Sequence, residues 1–211
     1  EFAIESYRRA LDAIERGAFA DQIVSIDAPQ GKTTRAVALD EEPARFDEAK
    51  LRALRPAFDS AGTVTAGNAS SINDGAAAVV VASGPAVSTP EARILGYASH
   101  ACTPEDFTLA PCGAIEKLLA KLGMGVDDID LFEINEAFAV VPMAAMAKLG
   151  IPHQKLNVHG GAVALGHPIG ASGTRILVTL LHAMRRHDVK RGLASLCIGG
   201  GEAVAVAVER V

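Results

Sequence analysis

Tryptophan is missing from the chain, tyrosine occurs twice, and aromatic residues make up only 4% of it. The apolar complement is alanine and valine instead, with much glycine, which suits a tightly packed α/β protein. No apolar run is long enough to span a bilayer, and no signal-peptide pattern opens the sequence. No membrane is therefore expected as a partner. Neither sign of charge dominates: 20 Lys and Arg stand against 25 Asp and Glu, a formal net charge of −5. That balance speaks against nucleic acid as the main partner. Cysteine is sparse as well. Cys102, Cys112 and Cys197 show neither a paired framework nor metal-ligand spacing, so no metal is expected. The pattern fits a reducing compartment, with a cytoplasmic location as the expectation. With 211 residues the chain can still bury a real core, as one large domain or two smaller ones.

The densest feature present is Asn157 to Gly173, NVHGGAVALGHPIGASG. Five glycines let backbone approach a ligand closely, and the Ser172-Gly173 pair opens a helical run whose N-terminus favours anions. His167, between Gly166 and Pro168, is either a side chain able to trade protons near neutral pH or simply the filler of a glycine-rich turn. A second concentrated segment is Thr63 to Gly75, TVTAGNASSINDG. Its small side chains and Asn-containing turns leave N–H groups and hydroxyls available to a polar or phosphate-bearing ligand, or make an ordinary turn before a strand.

Periodicity orders the remainder. Ile4, Tyr7, Leu11 and Ile14 share one face of a first helix that stops at Gly17. A helix that begins without a start signal suggests a missing beginning, and the chain is expected to be a fragment. Gln22 to Ile26 predicts a short strand, Ala28 to Glu42 a loop or hairpin, and Phe46 to Phe58 a surface connection. Ala76 to Ala82 predicts a strand buried on both faces, and Ser83 to Pro90 a linker. Further strands are expected at Arg93 to Ser99, Ile129 to Ile134, Leu193 to Ile198 and Ala203 to Val208. Helices are expected at Pro111 to Leu122, with the stripe Ile115, Leu118, Leu119 and Leu122, then up to about Leu149, and from about Ser172 to His187. Alternation of strands and helices predicts a layered α/β domain, in which polar residues at strand carboxyl ends form the usual site.

Asn135, His167 and Cys197 each fall at such an end or at a helix start. Cys197 supplies a thiolate if its pKa is lowered, and the glycines after it supply backbone donors. A small buried hydrophobe at a strand end is the other reading of that cysteine. His167 can move a proton or donate to a developing oxyanion, and Asn135 can fix a water or an amide. A papain-type cysteine protease would also use Cys, His and Asn, so residue type alone does not choose the chemistry.

The words do. NEAFA (Asn135 to Ala139), GGAVALGHPIGASG (Gly160 to Gly173) and CIGGGEAVA (Cys197 to Ala205) closely resemble signatures of the thiolase family, in thiolase order. TVTAGNAS with NDGAAA resembles the thiolase segment that touches coenzyme A, and DFTLAP (Asp106 to Pro111) is more similar to acetoacetyl-CoA thiolases than to long-chain ones. The resemblance implies a thiolase-like layered αβα fold, with residues 1–71 a remnant of the loop domain, 72–90 the end of the amino-terminal half and 91–211 the carboxyl-terminal domain. It implies two-step acyl transfer between acyl-CoA molecules: condensation of two acetyl-CoA to acetoacetyl-CoA, and thiolysis in reverse. No cofactor is implied, because the coenzyme A thioesters are substrates. Matched by motif, Cys197 moves the α-proton, His167 activates a nucleophilic cysteine and helps bind the thioester oxygen, Asn135 holds a water of that oxyanion hole, and the Gly199 N–H is half of a second one. Ser70 and Ala66 match pantetheine contacts, and Phe138 lines the acyl pocket.

The family's nucleophilic cysteine lies upstream of the segment matching Glu1, and neither Cys102 nor Cys112 has its context. This polypeptide is therefore expected not to turn over alone, while the full-length protein is expected to be a homotetramer or dimer. Phe2 stands where some relatives carry a tyrosine tied to potassium. A coenzyme-A-binding or assembly module without catalysis, and a decarboxylating ketoacyl synthase, are the competing readings. The Ala76 strand would lack its sheet, which predicts exposed apolar surface.

Overall fold

A computed structural model of the protein describes residues 1–211, the side chain of Pro85 excepted. Its centre is a four-stranded sheet of β3 (Ala92–Ala101), β6 (Glu202–Arg210), β5 (Arg191–Cys197) and β4 (Leu131–Ile134), in that spatial order. β4 and β5 are parallel, and the other pairs are antiparallel. The central position of β5 explains its apolar run, since Gly192 to Ser195 are all buried.

Helices cover both faces. On one side lies α3 (Ala110–Leu122), with Pro111 in its first turn and Gly123 at φ +66° as its stop. Ile115, Leu118 and Leu119 of the expected stripe are buried against Phe132, Ile134, Ala203 and Ala205, and Leu122 is half-buried at the edge. Lying on that same core is α4 (Val140–Leu149), whose Pro142 falls at the third helical position. No intrahelical bond is lost there, because the first four amides of a helix are free in any case. The other face carries α6 (Ser172–Arg186), which buries Ile176, Leu180, Ala183 and Met184 on Leu131, Ala194 and Val208.

The amino-terminal helix follows most of its expected face, with Ile4 buried and Tyr7 and Ile14 packed on the core, and departs from it at Leu11. α1 (Phe2–Glu15) buries Ala3, Ile4, Ser6, Ala10 and Ala13 and leaves Leu11 37% exposed. The reason is close approach. α1 packs on the four-residue helix α5 (Ala162–Leu165), and a β-carbon on Gly160 would meet the Ser6 carbonyl oxygen at 2.5 Å. Only small side chains fit between the two backbones.

The strand expected at Gln22 begins later. Residues 17–22 form turns, and β1 (Ile26–Gln30) pairs antiparallel with β2 (Thr33–Val37) around Gly31 at φ +63°. The short α2 (Glu48–Arg52), capped by Asp47, completes the connection before the Thr63 segment.

Ala76 to Ala82 is not a strand. No ladder bonds form along it, and Val80 is 98% exposed and Val81 72%. An apolar run signals burial in a sheet, but no strand among the described residues pairs with this one. The exposed apolar surface expected for this segment is present. No helix among the described residues is long and apolar enough to cross a membrane.

Candidate active site

The site assembles where β4 and β5 end. Past β4, the Asn135 N–H donates to the Ser195 carbonyl of β5 at 3.0 Å, which carries the sheet one residue further and buries Asn135. The glycine-rich stretch is pinned beneath by Asn157. Its amide takes the Ile134 N–H at 2.8 Å and donates to the Ile134 carbonyl at 2.9 Å, a side chain standing in for a strand. Asn157 has φ 46°, a left-handed backbone that asparagine tolerates.

Glu136 locks the same junction. Its buried carboxylate accepts from Ser6 Oγ at 2.7 Å, Asn157 Nδ2 at 2.9 Å and the Val163 N–H at 3.1 Å. Ser6 Oγ in turn accepts the Gly161 N–H at 2.9 Å. Three separate pieces, α1, the turn after β4 and the glycine loop, thus meet on one carboxylate. Burial raises its pKa, opposed by these donors.

Gly166, at φ +87°, turns the chain into His167 where a side chain would strike Asn73. The His167 N–H donates to the Ser71 carbonyl at 2.8 Å, and also reaches Asn73 Oδ1 at 3.2 Å. Its imidazole Nδ1 lies 2.5 Å from Ser172 Oγ, and Ser172 Oγ lies 3.0 Å from the Pro168 carbonyl. A hydroxyl has one hydrogen. The carbonyl can only accept, so Ser172 donates there and receives the Nδ1 proton of His167. The other nitrogen, Nε2, then carries a lone pair and faces Asn135 Nδ2 at 3.4 Å. Burial, followed by the Arg175 charge, lowers the pKa of His167, which keeps the ring neutral and able to accept a proton at Nε2.

Cys197 closes β5, two residues past the Ser195 that receives Asn135. It is buried, and that burial pushes its thiol up, so it rests protonated. No hydrogen bond joins it to His167 among the described residues. Beyond it, Gly199 is exposed, a side chain there would meet nothing within 4 Å, and its N–H has no partner among the described residues. An unfilled space over a free backbone donor is what an oxyanion would need.

The Thr63 segment reaches this site from outside. Ser70 donates both its N–H and its hydroxyl to the Ala137 carbonyl, at 3.1 and 2.9 Å. Ala69 bridges to Phe138, and Ile72 bridges to His167. Phe138 is half-buried, edge-on to Phe107 at 6.0 Å, and Ala66 is exposed in the preceding turn. Asn135, His167, Ser70 and Phe138 are thus brought to one surface, with Cys197 and Gly199 at the adjacent strand end. Ser172, Glu136, Asn157 and Asn73 organise it; in the sequence Ser172 marked only the opening of a helix, and the other three carried no role. Two acids, Glu133 and Glu136, inside the largely apolar LFEINEAFA run, and a serine five residues past His167, were the available signals. Among the described residues no group of three His, Cys, Asp or Glu side chains could hold a metal ion.

Comparison with known proteins gives the same direction. The family model described as the thiolase C-terminal domain matches residues 88–210, and that of the thiolase N-terminal domain matches residues 1–84. An acetyl-CoA acetyltransferase of Yarrowia lipolytica is 53% identical over 100% of this chain and 54% of its own length. One of Escherichia coli is 52% identical, with 55% of its length covered. The crystal structure of the Bacillus anthracis acetyl-CoA acetyltransferase superposes with a TM-score of 0.97 at 43% identity, over 100% of this chain and 55% of that one. A human mitochondrial 3-ketoacyl-CoA thiolase in complex with CoA gives 0.90 at 40%, over 100% and 53%. The chain spans about half the length of the curated relatives it matches.

Proposed function

This chain belongs to the thiolase family, and from that premise we propose that the full-length protein is an acetyl-CoA C-acyltransferase. It joins two acetyl-CoA into acetoacetyl-CoA and runs the thiolysis of 3-ketoacyl-CoA in reverse. In the first half-reaction a nucleophilic cysteine outside this chain gives its proton to His167 Nε2 and takes the acyl group, and the departing coenzyme A thiolate takes the Cys197 proton and leaves as the thiol. In the second, Cys197 as thiolate removes the α-proton of an incoming acetyl-CoA, and the enolate carbon attacks the acyl-enzyme. The acyl-enzyme cysteine leaves as thiolate and recovers its proton from His167. The observation that carries this reading is the His167 geometry: Nδ1–H fixed by Ser172, and an Nε2 lone pair met by Asn135 Nδ2 at 3.4 Å. A base held in one tautomer, beside an amide that can hold a water, suits a thioester oxygen that becomes charged.

Substrates reach the site along the Ala66–Ser70 turn, with Phe138 toward the acyl end. The thiol that burial raises ionises by giving its proton to the departing coenzyme A, and the free Gly199 N–H then stabilises the enolate oxygen as the α-proton is removed. We assign the full-length protein to the cytoplasm and to a homotetramer or dimer.

For the 211-residue chain itself, binding without turnover is the favoured reading. Cys112 is fully buried in the α3 core, and Cys102 turns its half-buried sulfur to the Gly201 and Asp106 carbonyls. Neither is placed to attack a thioester. Titration of the chain with acetyl-CoA, beside an acetoacetyl-CoA thiolysis assay, separates the two. Saturable binding with no thiolysis supports the reading, and thiolysis by the chain alone overturns it.

A further inference from the structure

Arg175, on the first turn of α6, is half-buried and reaches back over the glycine loop. Its Nη1 donates to the Gly166 carbonyl at 2.8 Å, the peptide that delivers His167. Its Nη2 lies 3.5 Å from Asp40 Oδ1, in the loop after β2, with side-chain exposures of 22% and 31% for the pair. Everything else that touches the imidazole or its amide is neutral: Asn135, Ser172, Asn73 and the Ser71 carbonyl. Among the charged groups of α6, β4 and the glycine loop, Arg175 is the one acting on the ring, and Asp40 stands behind it.

We propose that the Arg175–Asp40 pair is the positioning device of His167: Arg175 clamps the backbone that delivers the imidazole and sets a positive charge beside it, and Asp40 moderates that charge. The inference rests on reading His167 as the proton acceptor. Gly166 has φ +87° and no side chain to wedge it, and while the N–H of its peptide with His167 is held by the Ser71 carbonyl, the carbonyl side depends on Arg175. A guanidinium supplies that partner with a fixed planar donor. The charge beside the ring opposes protonation before substrate arrives, which adds to the effect of burial.

The test is the titration of His167 in the intact 211-residue chain, followed by nitrogen-15 chemical shifts and assigned by difference from His167→Gln. Replacing the guanidinium in Arg175→Met is expected to raise the midpoint, and Arg175→Lys to hold it near the original value. Asp40→Asn is expected to lower it, because the cation then acts unmoderated. Loosening of the loop alone would expose the ring and raise the midpoint in every variant, so opposite signs mark the electrostatic role. A rise or no change in Asp40→Asn overturns the proposal, and that variant stands even where Arg175→Met fails to fold. Titration needs no turnover, so a failure here is distinct from a failure of the thiolase reading, which would show as thiolysis surviving His167→Ala in the full-length protein.

Discussion

Acid should loosen this protein through one imidazole. His159 is 6% exposed, edge-on to Phe19 at 5.9 Å and tilted over His187 at 5.6 Å, and its Nδ1 is buried with no hydrogen-bond partner. Burial, then the nearby His187 and Arg186, push it down to about 4 from an ordinary 6.5, against the pull of Asp12. The unfolded chain therefore takes the proton more readily than the folded one. Stability from this group is complete above pH 6.5 and falls as pH drops toward 4. Linkage between those values makes acidification from pH 7 to pH 5 cost about 2 kcal/mol at most. His159→Phe keeps an aromatic ring against Phe19 and removes the titration. Urea unfolding of both proteins at pH 7 and pH 5 reads the effect, and the histidines away from the His159–His187 pair cancel in the comparison. The parent should lose up to about 2 kcal/mol more than the variant. Equal losses would refute the argument and show that His159 is protonated, or solvated, without strain.

Glu136→Leu should destabilise the chain by about 3 kcal/mol in urea unfolding, because the Ser6 hydroxyl, the Asn157 amide and the Val163 N–H all lose a buried acceptor. Gly160→Ala, at φ +77° and against the Ser6 carbonyl, should cost about 2 kcal/mol by the same assay. Ser172→Ala should release His167 from a single tautomer, visible as averaged nitrogen-15 shifts of the ring. In the full-length protein it should lower thiolysis by about tenfold or more, within the span of acid–base catalysis.

The sheet and its two covering helices were legible because their signals are local. Gly123 ends α3, the Ile115–Leu119 stripe meets the sheet, and Val204, Val206 and Val208 alternate along β6. What failed were segments whose fate depends on distant neighbours. α1 was legible as a helix with Ile4, Tyr7 and Ile14 toward the core, but Gly160 brings another backbone against it, so its alanines are buried too and Leu11 is left exposed. Ala76 to Ala82 reads as a buried strand, yet lacks a ladder to join. At the site, Asn135, His167 and Cys197 stood out through chemistry and motif. Their supports did not, since Ser6 and Glu136 are 130 residues apart and meet only in the fold.

The measurement that tests the central claim most directly is acetoacetyl-CoA thiolysis by a longer polypeptide that joins this chain to an upstream thiolase half, beside the 211-residue chain. The account predicts turnover only in the longer protein, abolished by Cys197→Ala and by His167→Ala while both variants remain folded by circular dichroism. Thiolysis that survives either substitution, or that the 211-residue chain performs alone, would contradict it.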